Sequence, residues 1–294
     1  METFAILKHV IWRFVFSLLV CILFKGASAV EIRRLVVPRY IQNGTRDSIV
    51  MDCDYSYNEN DLRLVVKWFF EDSLEPIYQW IPELKLKHTS EFFKNRLDLN
   101  YSVNTMDDYS RFRALKIYRP STELTGKYTC LVTSLAGQDS REQVMTIYVP
   151  AHEFELKYSE SLSDTVNVSC EVFGVFPFPL LKLYISSSSG SAPKIVPDVE
   201  YLTLKEPQEQ PGSYNVLLQR TFKATEISSK SATVFECKLE LPGTNYAQSK
   251  RIAYYPGIQG LRIGAPYELS SVSPHVLIPD FLSLLIVSVL FILF

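Results

Sequence analysis

An all-β protein built from two tandem sandwiches is what the sequence predicts, on three observations. Short runs alternate apolar and polar residues, as in "SIVMDCDY" around Cys53 and "DTVNVSCEV" around Cys170, and period-two alternation marks a half-buried strand. Cys53 is followed by Trp68 in "LVVKWFF", then by Tyr128 and Cys130 in "GKYTCLV". That order is the immunoglobulin-fold pattern: the tryptophan packs on an inter-sheet disulfide and the tyrosine anchors the strand of the second cysteine. The pattern returns in reduced form between Cys170 and Cys237. The expectation is a variable-type immunoglobulin domain over 30–149 and a constant-like, atypical immunoglobulin-like domain over 152–255.

The chain opens on a secretory signal. Lys8 and Arg13 give a basic start, "FVFSLLVCILF" is an apolar run too short to span a bilayer, and Ala27, Ser28 and Ala29 supply a small-residue cleavage site. The mature chain is expected to begin at Val30. Of the five cysteines, Cys21 leaves with this segment. The remaining four, Cys53, Cys130, Cys170 and Cys237, allow three connectivities by counting alone. The strand contexts favour one disulfide within each domain.

In the first domain, the long separation of Cys53 and Cys130 leaves room for extra strands, which favours the variable type. Trp68 and Tyr128 are its expected core pins. "YVPAH" (Tyr148 to His152) ends one strand and starts the next, so the linker is short and relative domain motion limited. The second domain has no tryptophan between its cysteines; Leu183 in "LLKLYIS" is the expected occupant of that slot, and Phe235 stands in the tyrosine position without its hydroxyl. "SSSSGSAP" and "KEPQEQPGS" read as loops, and residues 256–273 as a Gly- and Pro-containing stalk.

The last residues, 274–294, end in the apolar "FLSLLIVSVLFILF" with no Lys or Arg behind it. A membrane span normally needs about 20 apolar residues and a positively charged cytoplasmic end. Small residues, a short spacer and a terminal apolar tail instead form the pattern of a glycolipid (GPI) attachment signal, with Ser271 as the expected attachment site and Ser270 next to it. The alternative is a transmembrane helix beginning near His275.

Removing both signals leaves about 240 residues, enough for two domains of ordinary size. The formal net charge of −2 and the absence of a long basic run argue against a nucleic-acid partner. Sequons at Asn43, Asn100 and Asn167 are expected glycan sites. Nothing asks for catalysis, a metal or a cofactor. His9 and His275 lie in the two signals, His88 and His152 stand far apart, and no metal-ligand spacing or phosphate-binding glycine loop is present. Asp107 and Asp108 sit beside turn signals and are expected to stay in water.

The aromatic stretch "VVKWFFEDSLEPIYQWIP" (Val65 to Pro82) points to function. Alternation turns Val66 and Trp68 inward, and Lys67 and Phe69 onto the outer face that variable-type domains use for contact. Leu131, beside Cys130, joins that face. The next strand presents either Ile77, Gln79 and Ile81, or Tyr78 and Trp80, to the same side. The cost of burying an unpaired Gln79 favours Tyr78 and Trp80 inside or at the sheet edge; on the other alternation they add to the contact face. The partner-binding candidates are therefore Lys67, Phe69 and Leu131, with Tyr78 and Trp80 behind them. An exposed apolar patch on an extracellular domain marks a partner site, and aromatics are enriched in binding hot spots. A covering loop, glycan or second domain is the competing reading.

"VKWFF…PIYQWIP", "RLDLNY" and "YRPSTELTGKYTCLV", best over Val36 to Val149, resemble the beaten-path-like immunoglobulin proteins of insects. The resemblance implies a cell-surface or secreted recognition protein, in axon guidance or synaptic partner choice. Its partner would be another immunoglobulin-superfamily receptor, such as a sidestep-like protein. Two departures stand out: Leu124 replaces the aspartate of the usual Arg–Asp surface pair, and no Phe-Gly-x-Gly bulge follows Cys130. A protein of another class, a soluble or shed factor capturing a small or microbial ligand, is the alternative.

Overall fold

The computed structural model describes residues 30–256, apart from 59–60, 162–163, 189, 205–211 and 228–230. The signal peptide, the stalk beyond Pro256, Ser271 and the apolar tail lie outside the described residues. Among the described residues no helix is long and apolar enough to cross a membrane.

The first sandwich is made by β1 (Glu31–Val36), β2 (Tyr40–Gln42), β3 (Ser48–Ser56), β4 (Val65–Phe70), β5 (Tyr78–Ile81), β6 (Leu86–Thr89), β7 (Leu115–Tyr118), β8 (Gly126–Thr133) and β9 (Gln138–Tyr148). One sheet has the order β1-β3-β7 and the other β2-β9-β8-β4-β5-β6. The two strands added beyond β4 on the larger sheet are what distinguishes a variable-type domain. Alternation sets the inward face: Ile49, Met51, Cys53 and Tyr55 on β3 and Tyr128, Cys130 and Val132 on β8 are buried.

The second sandwich uses β10 (Glu153–Ser161), β11 (Thr165–Val175), β12 (Leu180–Ser187), β13 (Lys194–Ile195), β14 (Glu200–Leu204), β15 (Tyr214–Lys223), β16 (Thr233–Glu240) and β17 (Ala247–Tyr254). Its sheets run β10-β11-β15-β14 and β13-β12-β16-β17, the constant-type arrangement with one short strand added. The fold is thus all-β, two tandem immunoglobulin-like sandwiches.

Disulfides join Cys53 to Cys130 and Cys170 to Cys237, at sequence separations of 77 and 67. In a chain-entropy model, closing loops of that length stabilises each domain by about 4 kcal/mol. Trp68 stands opposite Cys130 in the β4–β8 register, and Leu183 stands opposite Cys237 in the β12–β16 register. The same slot is therefore filled by an indole in one domain and an isobutyl group in the other. The Tyr128 hydroxyl donates to the Leu124 carbonyl at 2.8 Å, and burial pushes its pKa up. Phe235 has no hydroxyl and packs on Phe222 instead, with ring centroids 5.3 Å apart.

One sequence departure is compensated, and one expectation needs correction. An Arg–carboxylate pair is present at the first domain's corner: Arg96 pairs with Glu123, one residue before Leu124, and bonds Ser121. The Ser121 hydroxyl and the Arg96 guanidinium hold the Glu123 carboxyl below its usual range. Asp107 does not simply face water. It accepts hydrogen bonds from the Tyr57 hydroxyl at 2.8 Å and the Tyr109 amide at 2.9 Å, whereas Asp108 pairs with Arg111 at the surface.

The domains meet end to end. Val149 and Phe176 exchange backbone hydrogen bonds, the Ala151 amide donates to the Tyr246 hydroxyl, and Tyr148 lies 5.9 Å from Tyr246. Gly243 has a φ of +76°, and a Cβ there would meet Thr146 Oγ1 at 2.7 Å. Only glycine combines that backbone conformation with so close an approach to β9.

Candidate recognition face

The outer side of the larger sheet is assembled by strand register. Lys67 on β4 stands directly opposite Leu131 on β8 and, on its other flank, opposite Gln79 on β5. Leu131 in turn faces Ser140 on β9, while Phe69 faces Thr129 one step along the same face. Directly opposed side chains in such a lattice have Cβ atoms about 5 Å apart, so Lys67, Phe69 and Leu131 are neighbours. All three are half-buried. Their partial cover fits mutual packing, with the apolar Lys67 stem available to lie along Leu131.

Charge is arranged around this row. Lys67 makes no ion pair with any described residue. Lys127, near one edge, is held by Asp72 at 2.7 Å and Glu142 at 3.6 Å, and these carboxylates raise its pKa. The centre of the face therefore carries an ammonium with no ion-pair partner among the described residues, between Leu131 and Gln79.

Tyr78 and Trp80 do not belong to it. They are 3% and 2% exposed, and the expectation that they contact a partner is corrected. The segment between β6 and β7 closes over them: the Tyr78 hydroxyl donates to the Phe112 carbonyl, and Trp80 meets the Phe112 ring edge-on at 5.0 Å. The Lys87 ammonium caps the other side of Phe112 at 3.7 Å from its centroid. Gln79 and Ile81 take the outward positions of β5, and Ile77 is buried just before it.

Potential covers lie elsewhere. Asn43 is exposed after β2 and Asn100 after β6, while Asn167 sits half-buried on β11 of the second domain. None of these sequons is on β4, β5 or β8. The Lys67 row reaches β9 at Ser140, and the domain junction begins near Tyr148. At about 3.4 Å per residue, the second domain is about 27 Å along the strand from that row.

Sequence reasoning missed one apolar cluster at the end of the face away from the second domain. Leu62, Leu84 and Leu135 are 57%, 69% and 63% exposed. The Leu135 amide donates to the Leu62 carbonyl at 2.9 Å, and the Arg63 amide donates to Glu83 Oε1 at 2.7 Å. Three separate loops are thereby tied together. Their only sequence signal is an isolated exposed leucine in each of three polar loops, which no periodicity picks out.

Among the described residues no group of three or more His, Cys, Asp or Glu side chains is placed to hold a metal ion. No protein-family model matches the chain, and no curated protein matches it. Solved structures do. Bovine butyrophilin is similar at a TM-score of 0.53 and 14% identity, covering 76% of this chain and 97% of that one. The extracellular portion of mouse CD200RLa is similar at a TM-score of 0.39 and 17% identity, covering 74% of this chain and 98% of that one. At these identities the butyrophilin likeness speaks to the fold.

Proposed function

We propose that this chain is an extracellular recognition protein that binds another immunoglobulin-superfamily receptor through the outer face of its first domain. The observation that carries the reading is the half-buried outer row of Lys67, Phe69 and Leu131, which has no sequon on its strands and lies far from the domain junction. Exposed leucines, Leu62, Leu84 and Leu135, stand in the loops at the distal end of the same sheet. Contiguous exposed apolar groups on a folded domain are characteristic of partner sites. The beaten-path-like resemblance adds a partner class, sidestep-like receptors, and a setting in axon guidance or synaptic partner choice.

The proposed protein is glycosylated at Asn43, Asn100 and Asn167 and held at the outer leaflet by a lipid at Ser271. Phosphatidylinositol-specific phospholipase is expected to release it from cells; retention after treatment would favour a C-terminal helix. The recognition reading is tested by multimerising the ectodomain, residues 30–270, and screening it against cell-surface ectodomains, itself included. The expected result is a specific immunoglobulin-type partner that is lost in Phe69→Asp. A folded Phe69→Asp variant that binds as well as the parent would overturn the site.

A further inference from the structure

A second surface, on the other edge of the first domain, carries charge rather than apolar groups. Arg33, Arg34, Arg39, Arg46, Arg119 and Arg141 are all exposed, and none makes an ion pair with a described residue. By contrast Arg96, Arg111 and Arg113 of the same domain are all paired with carboxylates.

Local structure brings four of the unpaired six, Arg33, Arg34, Arg39 and Arg141, to one edge, with Arg46 and Arg119 together at one end of the domain. A register shift between Ile32 and Arg34 in the β1–β3 pair inserts an extra residue, and such a bulge lets two consecutive side chains stay outside. Ile32 is buried while Arg33 and Arg34 are both exposed. The Arg141 guanidinium donates to the Arg33 carbonyl at 3.2 Å, which sets β9 against β1. Farther along β9, the Thr146 amide donates to the Arg39 carbonyl. Arg119 reaches the same end of the domain as Arg46, because its amide donates to the Asp47 carbonyl.

From Arg141 to the residue that bonds Arg39 is about 17 Å of strand. Few carboxylates offset this row. Asp139 is engaged by the Ile32 and Ser140 amides, and Asp52 and Asp54 across from β1 are taken up by Arg113. Glu31 and Asp47 remain.

We propose that this edge binds a linear sulfated polysaccharide of the cell surface or matrix. An extended row of cations along an exposed edge suits a chain of regularly spaced anions better than a single small one, which would need a pocket. Guanidinium forks pair with oxyanions in bidentate fashion, which an ammonium cannot do, and every cation in the row is an arginine. The surface is separate from the Lys67–Phe69–Leu131 face and does not depend on the reading of that face.

The test is heparin-affinity chromatography of the glycosylated ectodomain, residues 30–270, with desulfated heparin and phosphatidylserine vesicles as parallel probes. The parent is expected to be retained on heparin at physiological salt, to elute as salt rises, and to ignore desulfated heparin. Arg33→Gln combined with Arg34→Gln should weaken binding to a heparin oligosaccharide about tenfold, with an unchanged melting temperature. Arg111→Gln, whose residue lies in a different loop, should elute with the parent. Failure of the parent to bind heparin would overturn the proposal. So would equal retention on the desulfated chain, binding to the vesicles alone, or co-elution of the double variant with the parent.

Discussion

Tyr128 and Phe235 hold equivalent positions before the closing cysteine of each domain, and they differ by one hydroxyl. In the first domain that hydroxyl reaches the Leu124 carbonyl inside a buried corner. Tyr128→Phe is expected to cost about 1–3 kcal/mol by leaving a buried acceptor short of a donor. Urea unfolding of the ectodomain would show it as a lower midpoint for the first domain; an unchanged midpoint would mean the corner adds nothing. Residues of this kind were legible in the sequence because their spacing from a cysteine defines their role. Trp68 and Leu183 were legible for the same reason. Glu123 was not, since the sequence draws attention to Leu124 and only the turned corner shows that Arg96 reaches the residue before it.

Strand β5 shows what alternation can and cannot settle. Period two restricts the choice to Gln79 out or Gln79 in, and the cost of burying an amide favoured the first. The apolar cover for Tyr78 and Trp80 comes from Phe112, which lies more distant in sequence than any local pattern reaches. Contact residues of this kind depend on chain that returns from elsewhere. Asp in place of Tyr78 or Trp80 would bury an unpaired charge, with an expected loss of about 3 kcal/mol or more and little secreted protein. Gln79→Asp, on the outward side, should be secreted with a melting temperature near that of the parent. Equal tolerance at all three positions would contradict the observed placement of β5.

At the scale of the whole molecule, the larger sheet of the first domain divides its labour by position. Its β9 end near Tyr148 is committed to the second domain, through Val149, Ala151 and the close approach of Gly243. Its other end, with Lys67, Leu131 and the loop leucines, is left uncommitted. The number of domains and their order were readable from the cysteine pattern, but this division of the sheet was not, because it depends on which end of β9 the second domain occupies. On the proposed function, recognition belongs to the uncommitted face. The most direct measurement is the affinity of the ectodomain for its partner, compared across Phe69→Asp, Leu131→Asp and Val50→Asp, the last on the exposed side of the opposite sheet. A loss of about tenfold or more is expected for each of the first two, and no loss for Val50→Asp. Equal affinities for all three folded variants, or a loss confined to Val50→Asp, would contradict it.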